Sequence, residues 1–304
     1  VLFRSLAGLD HDAAIAGRHV GPVRDLDGGD LAGRPGIRHV DDPRVALAQY
    51  VKAPDDVGFL REQRAAMTDL YERLQSRFNA RFGLYESMQD AQDEYQKKPF
   101  ITYDNVLVWR ALSDLDGLYR RLGDSSEASL AARRADQLRA AILKNTLTGP
   151  AEARRFASAT DGSEVVETDI PPGSLMTLPL LGFLSEKDPR FVATYDWLHS
   201  AAYRFSYADK PYGLPGSYRL PFTPVWTLGA ELNLTKGREH ALKILLASSW
   251  DNGVATEGVD PQSAQPDLAG RAFATAAGHL AHSICTRSEE HTSELQSRGL
   301  ISYA

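Results

Sequence analysis

Thr102-Tyr103-Asp104-Asn105-Val106-Leu107-Val108-Trp109-Arg110-Ala111-Leu112-Ser113-Asp114-Leu115-Asp116-Gly117-Leu118-Tyr119-Arg120-Arg121-Leu122-Gly123-Asp124 is the stretch on which the fold turns. Val108, Leu112, Leu115, Tyr119 and Leu122 recur at helical spacing, so a helix over 102–122 carries one apolar stripe. Gly123 is a natural end for it, because glycine takes the left-handed conformation that closes a helix at little cost. Asp124 followed by Glu127 resembles a capping box and opens a second helix, with Ala131, Ala135, Leu138 and Ile142 on one side. Helices joined by so short a link lie side by side as a hairpin.

The same reading extends in both directions. Leu60, Met67, Leu70, Leu74 and Phe78 predict a helix over 57–78, and further helices are expected at 174–184, 189–202, 224–234, 238–249 and 267–285. Asp161-Gly162 between alternating residues predicts a β-hairpin within 155–167. Short links at 123–124, 185–188 and 235–237 alternate with long ones at 80–101, 146–173, 203–223 and 250–266. Stacked hairpins with this alternation send every long loop to one face. The expected fold class is therefore all-α, an incomplete (α/α)6 toroid of helical hairpins with long loops on one face and one small β-hairpin. Long ordered loops are uncommon unless they carry function. The open solenoid, the alternative, has a repeated consensus that this chain lacks.

The two ends read differently. Val1-Leu2-Phe3-Arg4-Ser5 and Arg287-Ser288-Glu289-Glu290-His291-Thr292-Ser293-Glu294-Leu295-Gln296-Ser297 match translated sequencing-library adapters, and Ile301-Ser302-Tyr303-Ala304 matches a later part of the same oligonucleotide. Residues 1–5 and 287–304 are thus expected to be artefacts, the latter disordered, and excluded from fold reasoning. Residues 6–40 have no steady period and receive no assignment. Residues 41–286 are expected to form the C-terminal two-thirds of a toroidal catalytic domain cut from a longer protein. Such a window leaves apolar helix flanks uncovered, and on its own it is expected to be inactive. Its compartment stays open, because a signal peptide would lie upstream.

Composition narrows the function. The chain has 43% hydrophobic and 24% charged residues, as an ordinary globular protein does. A net charge of −6 argues against nucleic acid as partner. No apolar run approaches the roughly 20 residues needed to span a bilayer. The single cysteine, Cys285, excludes an internal disulfide framework. His279, His282 and Cys285 step round one helix and cannot share a metal, and the other histidines show no ligand spacing. There is no Walker or dinucleotide motif and no D-x-D-D segment, so no metal or cofactor is expected.

Carboxylates and aromatics dominate the long loops. The first holds Tyr85, Glu86, Asp90, Asp93, Glu94, Tyr95 and Tyr103; the third holds Tyr203, Tyr212 and Tyr218 and closes on Trp226; the last holds Asp251, Glu257 and Asp260. Inverting hydrolysis of a glycoside needs one protonated and one ionised carboxyl group, roughly 6.5–9.5 Å apart with a water between. Aromatic planes offer stacking surface to sugar rings. Two acidic loops distant in sequence on one rim suit that chemistry, although Asp and Glu also populate any exposed loop. Trp226, read from helix position alone, is a core residue.

The residues then carry a resemblance. Gly83-Leu84-Tyr85-Glu86-Ser87 leading to Asp93-Glu94, then Tyr103-Asp104-Asn105, Ser174-Leu175-Met176-Thr177-Leu178-Pro179, Phe222-Thr223-Pro224-Val225-Trp226 and Thr256-Glu257 follow in order the motifs of six-hairpin glycosidases. The pattern is most similar to glycoside hydrolase family 125, the metal-independent exo-α-mannosidases. That resemblance implies an inverting, exo-acting hydrolase of α-linked sugars, α-mannosides favoured. Asp93 falls on its general acid, Glu94 on the acid's partner and Glu257 on its general base. Asn105, Tyr85, Tyr212, Trp226 and Asp260 become substrate-binding candidates. The sequence departs from the family at Asp90-Ala91-Gln92 and at Thr256, positions that would hold substrate. Gly83-Leu84-Tyr85-Glu86 and Gly253-Val254-Ala255-Thr256-Glu257-Gly258-Val259-Asp260-Pro261 are also similar to family 15 glucoamylases, with Glu86 as acid and Glu257 again as base. A catalytically dead glycan-binding toroid is the non-enzyme alternative.

Overall fold

The computed structural model describes residues 57–87, 97–169, 173–250, 254–266 and 276–284. The two ends, the 6–40 segment, and Asp93 and Glu94 lie outside them. The chain divides into two compact units, Val1–Thr148 with Ala157–Val166 and Gly149–Phe156 with Glu167–Ala304.

In the first unit, α1 (Val57–Glu62) and α2 (Arg64–Gln75) are separated only by the buried Gln63. The expected helix over 57–78 stops short. Phe78 instead pairs with Tyr85 across the strands Phe78–Asn79 and Leu84–Tyr85, and their rings lie 5.2 Å apart. α3 spans Thr102–Leu122 and ends at Gly123, whose φ of 82° is the left-handed conformation its position implied. α4 (Ser125–Asn145) packs against α3 through Ala128, Ala131, Ala135, Leu138 and Ile142. Leu138 and Ile142 are fully buried, each contributing about 1.5–3 kcal/mol by the water it sheds. Asp124 does not cap α4 with its side chain; its carboxylate accepts from Arg64 Nε at 2.8 Å instead.

The hairpin forms where Asp161-Gly162 placed it. Ala159–Thr160 pairs antiparallel with Val165–Val166, and Phe100–Ile101 joins as a third strand. Asp161 Oδ1 accepts from the main-chain N–H groups of Ser163 and Glu164, both at 2.9 Å, which shapes the turn. Gly162 (φ 90°) lies against the Phe82 ring, leaving no room for a side chain.

The second unit contains α5 (Pro189–Leu198), α6 (Val225–Asn233), α7 (Arg238–Ala247) and helical residues 276–284. α5 starts with Asp188 accepting from the Arg190 N–H and with proline in the first turn. The helix expected over 174–184 is not formed. A 3-10 turn at Leu175–Thr177 is followed by tight turns, including Gly182 N–H to the Pro179 carbonyl. Pro179 has no N–H to continue a helical ladder, and Gly182 at φ 74° reverses the chain. The core here gathers Leu214, Val225, Leu228, Leu232, Ile244 and Leu280.

Two buried carboxylates organise this unit. Glu231 on α6 is fully buried; Tyr195 Oη donates to its Oε2 at 2.9 Å, and His199 Nε2 stands 2.9 Å from Oε1. The Tyr195 and His199 rings stack at 4.1 Å, so α6 is keyed to the end of α5. The Gly237 backbone lies so close to the Glu231 carboxylate that a Cβ there would collide with it. Asp169, also fully buried, accepts from Gly173 N–H (2.8 Å), Ser174 Oγ (2.7 Å) and Leu175 N–H (3.2 Å).

Burial pushes the Asp169 carboxyl up to about 6 against the pull of those donors. Folding therefore favours its neutral form. Its contribution to stability should fall as pH rises from about 4, where the unfolded group ionises, through about 6. The loss at neutral pH is about 2–3 kcal/mol, scaled from that shift. Urea unfolding of Asp169→Asn between pH 4 and 7 should lack this slope. The same slope in the variant and the wild type would show that Asp169 does not cause it.

Candidate active site

Two loops of the second unit are laced together around Glu257. Gly258–Val259 pairs antiparallel with Thr223–Pro224, Thr223 opposite Val259 and Pro224 opposite Gly258. The next N–H along, that of Val225, donates to the Glu257 carbonyl at 3.0 Å. The main chain of Glu257 is thereby fixed to the first residue of α6. Thr256 is fully buried, and its hydroxyl donates to the Gly258 carbonyl at 2.6 Å, bridging the residue between them. Gly258 sits against the Phe222 ring and the Thr223 carbonyl, where any Cβ would collide. Ala255 and Val259 are core residues. Glu257 itself is half-buried between these buried flanks. A side chain held partly open on a turn anchored at both sides is the support that a catalytic group requires.

Tyr212 and Trp226 lie beside this turn. The Tyr212 N–H donates to the Pro261 carbonyl at 2.9 Å, and its carbonyl accepts from Thr223 Oγ1 at 2.6 Å. Lys243 Nζ sits 5.0 Å above the Tyr212 ring. Trp226 is partly buried against the core and stacks on His279, their ring centroids 6.3 Å apart. Asp260 is exposed. Its Oδ1 accepts from Gln262 N–H, Ser263 N–H and Ser263 Oγ at 2.7–3.0 Å, forming a turn, and these donors, the Ser263 hydroxyl first, hold its carboxyl below the usual range.

The first unit holds the other candidates. Asn105 is fully buried, and its amide is spent on main chain: Oδ1 accepts from Tyr85 N–H (2.8 Å), while Nδ2 donates to the carbonyls of Tyr85 (3.0 Å) and Ile101 (2.9 Å). The structure corrects the expectation that Asn105 faces substrate; it is a clasp that fixes strand Leu84–Tyr85 to the start of α3. Tyr85 is buried too, its hydroxyl accepting from Gln75 Nε2 at 2.9 Å. Glu86 follows it, exposed, with Oε1 accepting from Asn79 Nδ2 at 2.7 Å.

Asp93 and Glu94 lie outside the described residues, but the chain is pinned on either side of them. Ser87 N–H donates to the Pro99 carbonyl at 2.8 Å, and Lys98 Nζ binds Asp161 at 2.5 Å and Glu164 at 2.6 Å. Lys98 holds the Asp161 carboxyl well below its ordinary range. The sequence reading missed Lys98 and Glu231, and it took Thr256 only as a departure at a substrate-holding position, whereas Thr256 is buried and braces the turn. Glu231 alone left a trace, as the one carboxylate in Val225-Trp226-Thr227-Leu228-Gly229-Ala230-Glu231-Leu232, an otherwise apolar helix. Among the described residues no three His, Cys, Asp or Glu are placed to hold a metal ion, and no helix is long and apolar enough to cross a membrane.

Comparison with known proteins places this arrangement. The sequence pattern of the metal-independent α-mannosidases, glycoside hydrolase family 125, matches residues 46–285. No curated relative matches by sequence. Among solved structures, a Streptococcus pneumoniae metal-independent α-mannosidase with α-1,6-mannobiose in a non-productive complex superposes with a TM-score of 0.70 at 15% identity, over 81% of this chain and 67% of that one. A bacterial glucoamylase bound to acarbose gives 0.57 at 16% identity, over 81% of this chain and 39% of its own. A family 78 rhamnosidase from Bacillus sp. GL1 gives 0.54 at 16%, over 81% and 25%. At these identities the likeness is one of fold, the helical hairpins of (α/α)6-barrel glycosidases.

Proposed function

The chain belongs to glycoside hydrolase family 125, the metal-independent α-mannosidases, and from that premise we propose that its parent protein removes terminal mannose from α-mannosides with inversion. The observation that carries this reading is the position of Glu257, half-open on a turn whose flanks are buried and bonded. Glu257 would act as general base, taking a proton from the water that attacks the anomeric carbon. Asp93, the first carboxylate of the acidic pair, would protonate the departing oxygen, with Glu86 the second candidate. As base and acid act on opposite faces of the sugar, the released anomer is inverted. Mannose is favoured over glucose by the family match, and the mannobiose complex of the pneumococcal enzyme supports the same sugar.

The test is product stereochemistry. The protein should release β-mannose first from α-1,6-mannobiose, followed by NMR of the anomeric proton. Release of α-mannose first would overturn inversion. Glucose from an α-glucoside but no mannose would move the enzyme to glucoamylase-type specificity, and binding with no release would make it a glycan-binding toroid.

A further inference from the structure

Tyr218 stands at the outer end of a continuous series of rings. Trp197 and Tyr203 meet at 4.9 Å, Tyr203 and Phe205 at 6.0 Å, Phe205 and Tyr218 at 6.5 Å. The inner end is fixed: Arg155 covers Trp197 at 4.6 Å, and the buried Tyr203 donates its hydroxyl to the Gly216 carbonyl at 2.7 Å. The outer end opens to solvent, with 54% of Tyr218 exposed. Single exposed aromatics are ordinary, but the backbone here is built to present one. Ser217, itself buried, donates its N–H to the Leu220 carbonyl (3.2 Å), and its Oγ accepts from the N–H groups of Arg219 and Leu220, both at 3.3 Å. Tyr218 is therefore lifted on the tip of a tight turn. Gly216 below that tip has no space for a Cβ, being wedged between the carbonyls of Leu220 and Phe222. The neighbouring ring is not equally open, since Arg204 lies over Phe205 at 5.1 Å.

We propose that Tyr218 is a stacking platform for a pyranose ring of the bound glycan, beyond the two sugars that flank the cleaved bond. A tyrosine held on a pedestal offers a flat apolar face with a polar edge at little entropic cost, which matches a sugar ring with C–H groups on its faces and hydroxyls round its rim. A nucleic-acid base would also stack, but a chain of net charge −6 does not attract a polyphosphate. The same loop reaches the Glu257 turn through the Tyr212–Pro261 bond and the Thr223–Val259 pairing. Tyr218 lies five residues before Thr223, a span of at most about 18 Å of chain, which a short oligosaccharide bridges. This inference rests on the glycosidase reading above, and it adds a preference for chain length that the reading does not contain.

The experiment compares Tyr218→Ala and Tyr218→Trp with wild type in the parent protein, on an α-mannotriose and α-1,6-mannobiose. Tyr218→Ala should lower the ratio of kcat/KM for trisaccharide over disaccharide about tenfold, the loss of one stacked contact, and Tyr218→Trp should keep it. Binding is measured in parallel by calorimetry in the Glu257→Gln background, with maltotriose beside mannotriose. If no mannoside is turned over, the function reading fails, and the platform is then decided by binding alone. A trisaccharide affinity that falls in Tyr218→Ala and persists in Tyr218→Trp supports it. Equal affinities of wild type and Tyr218→Ala for every trisaccharide overturn it.

Discussion

Glu257→Gln is expected to lower kcat on the cleaved mannoside by at least about a hundredfold, the low end for a positioned acid–base group. The substitution keeps the shape and one carbonyl oxygen but cannot accept a proton at working pH. The base acts as the water attacks, so the loss should appear in kcat and leave KM little changed. Folding should be spared, for a reason visible in the turn. Glu257 is tied to α6 through its main-chain carbonyl, which accepts from Val225 N–H at 3.0 Å, and glutamine keeps that carbonyl. An unchanged urea midpoint beside a collapsed kcat is the expected pair of results. A purified variant that turns over at near wild-type rate would remove Glu257 from the mechanism.

Gly258→Ala should damage the same site by a different route. A single Cβ at 258 would press into the Phe222 ring and toward the Thr223 carbonyl, 2.5 Å away. Phe222 is buried and Thr223 is paired with Val259, so neither neighbour can give freely. The strands Thr223–Pro224 and Gly258–Val259 must part, at a cost of about 1–3 kcal/mol for overpacking. Glu257 moves with them. A displacement of about 1 Å can cost on the order of a hundredfold in rate, so kcat should fall far more than stability alone explains. Measured kcat and urea midpoint together decide it, and full activity with a wild-type midpoint would mean that the turn is softer than its contacts imply.

Local physics is what the sequence displays. α3 was readable to its last residue because its stop lies in the chain itself, Gly123 in the left-handed region. The hairpin at Asp161-Gly162 was readable for the same reason. The helix expected over 174–184 failed because apolar spacing persists through Pro179 and Gly182, while the backbone obeys those two residues first. Asp124 was misread as a side-chain cap because its partner, Arg64, lies sixty residues away. Asn105 shows the limit most clearly. Its place in a glycosidase motif pointed to substrate, yet it clasps Tyr85 and Ile101. Motif position alone does not tell a residue that touches sugar from one that holds the chain behind it. Glu257 was singled out because loop chemistry and two family patterns met on one carboxylate. The close approach of Gly258 to Phe222 left no such sign, since tight packing leaves no periodic mark.

The bond from Val225 N–H to the carbonyl of Glu257 gives the peptide of residue 225 a meaning beyond its own helix. A first-turn amide normally has no intrahelical acceptor and trades its hydrogen with water readily. This one is bonded while the 257 turn stays seated, so its deuterium uptake should rise when that turn lifts. Movements of the turn that carries Glu257 can then be followed from a main-chain reporter on the neighbouring helix.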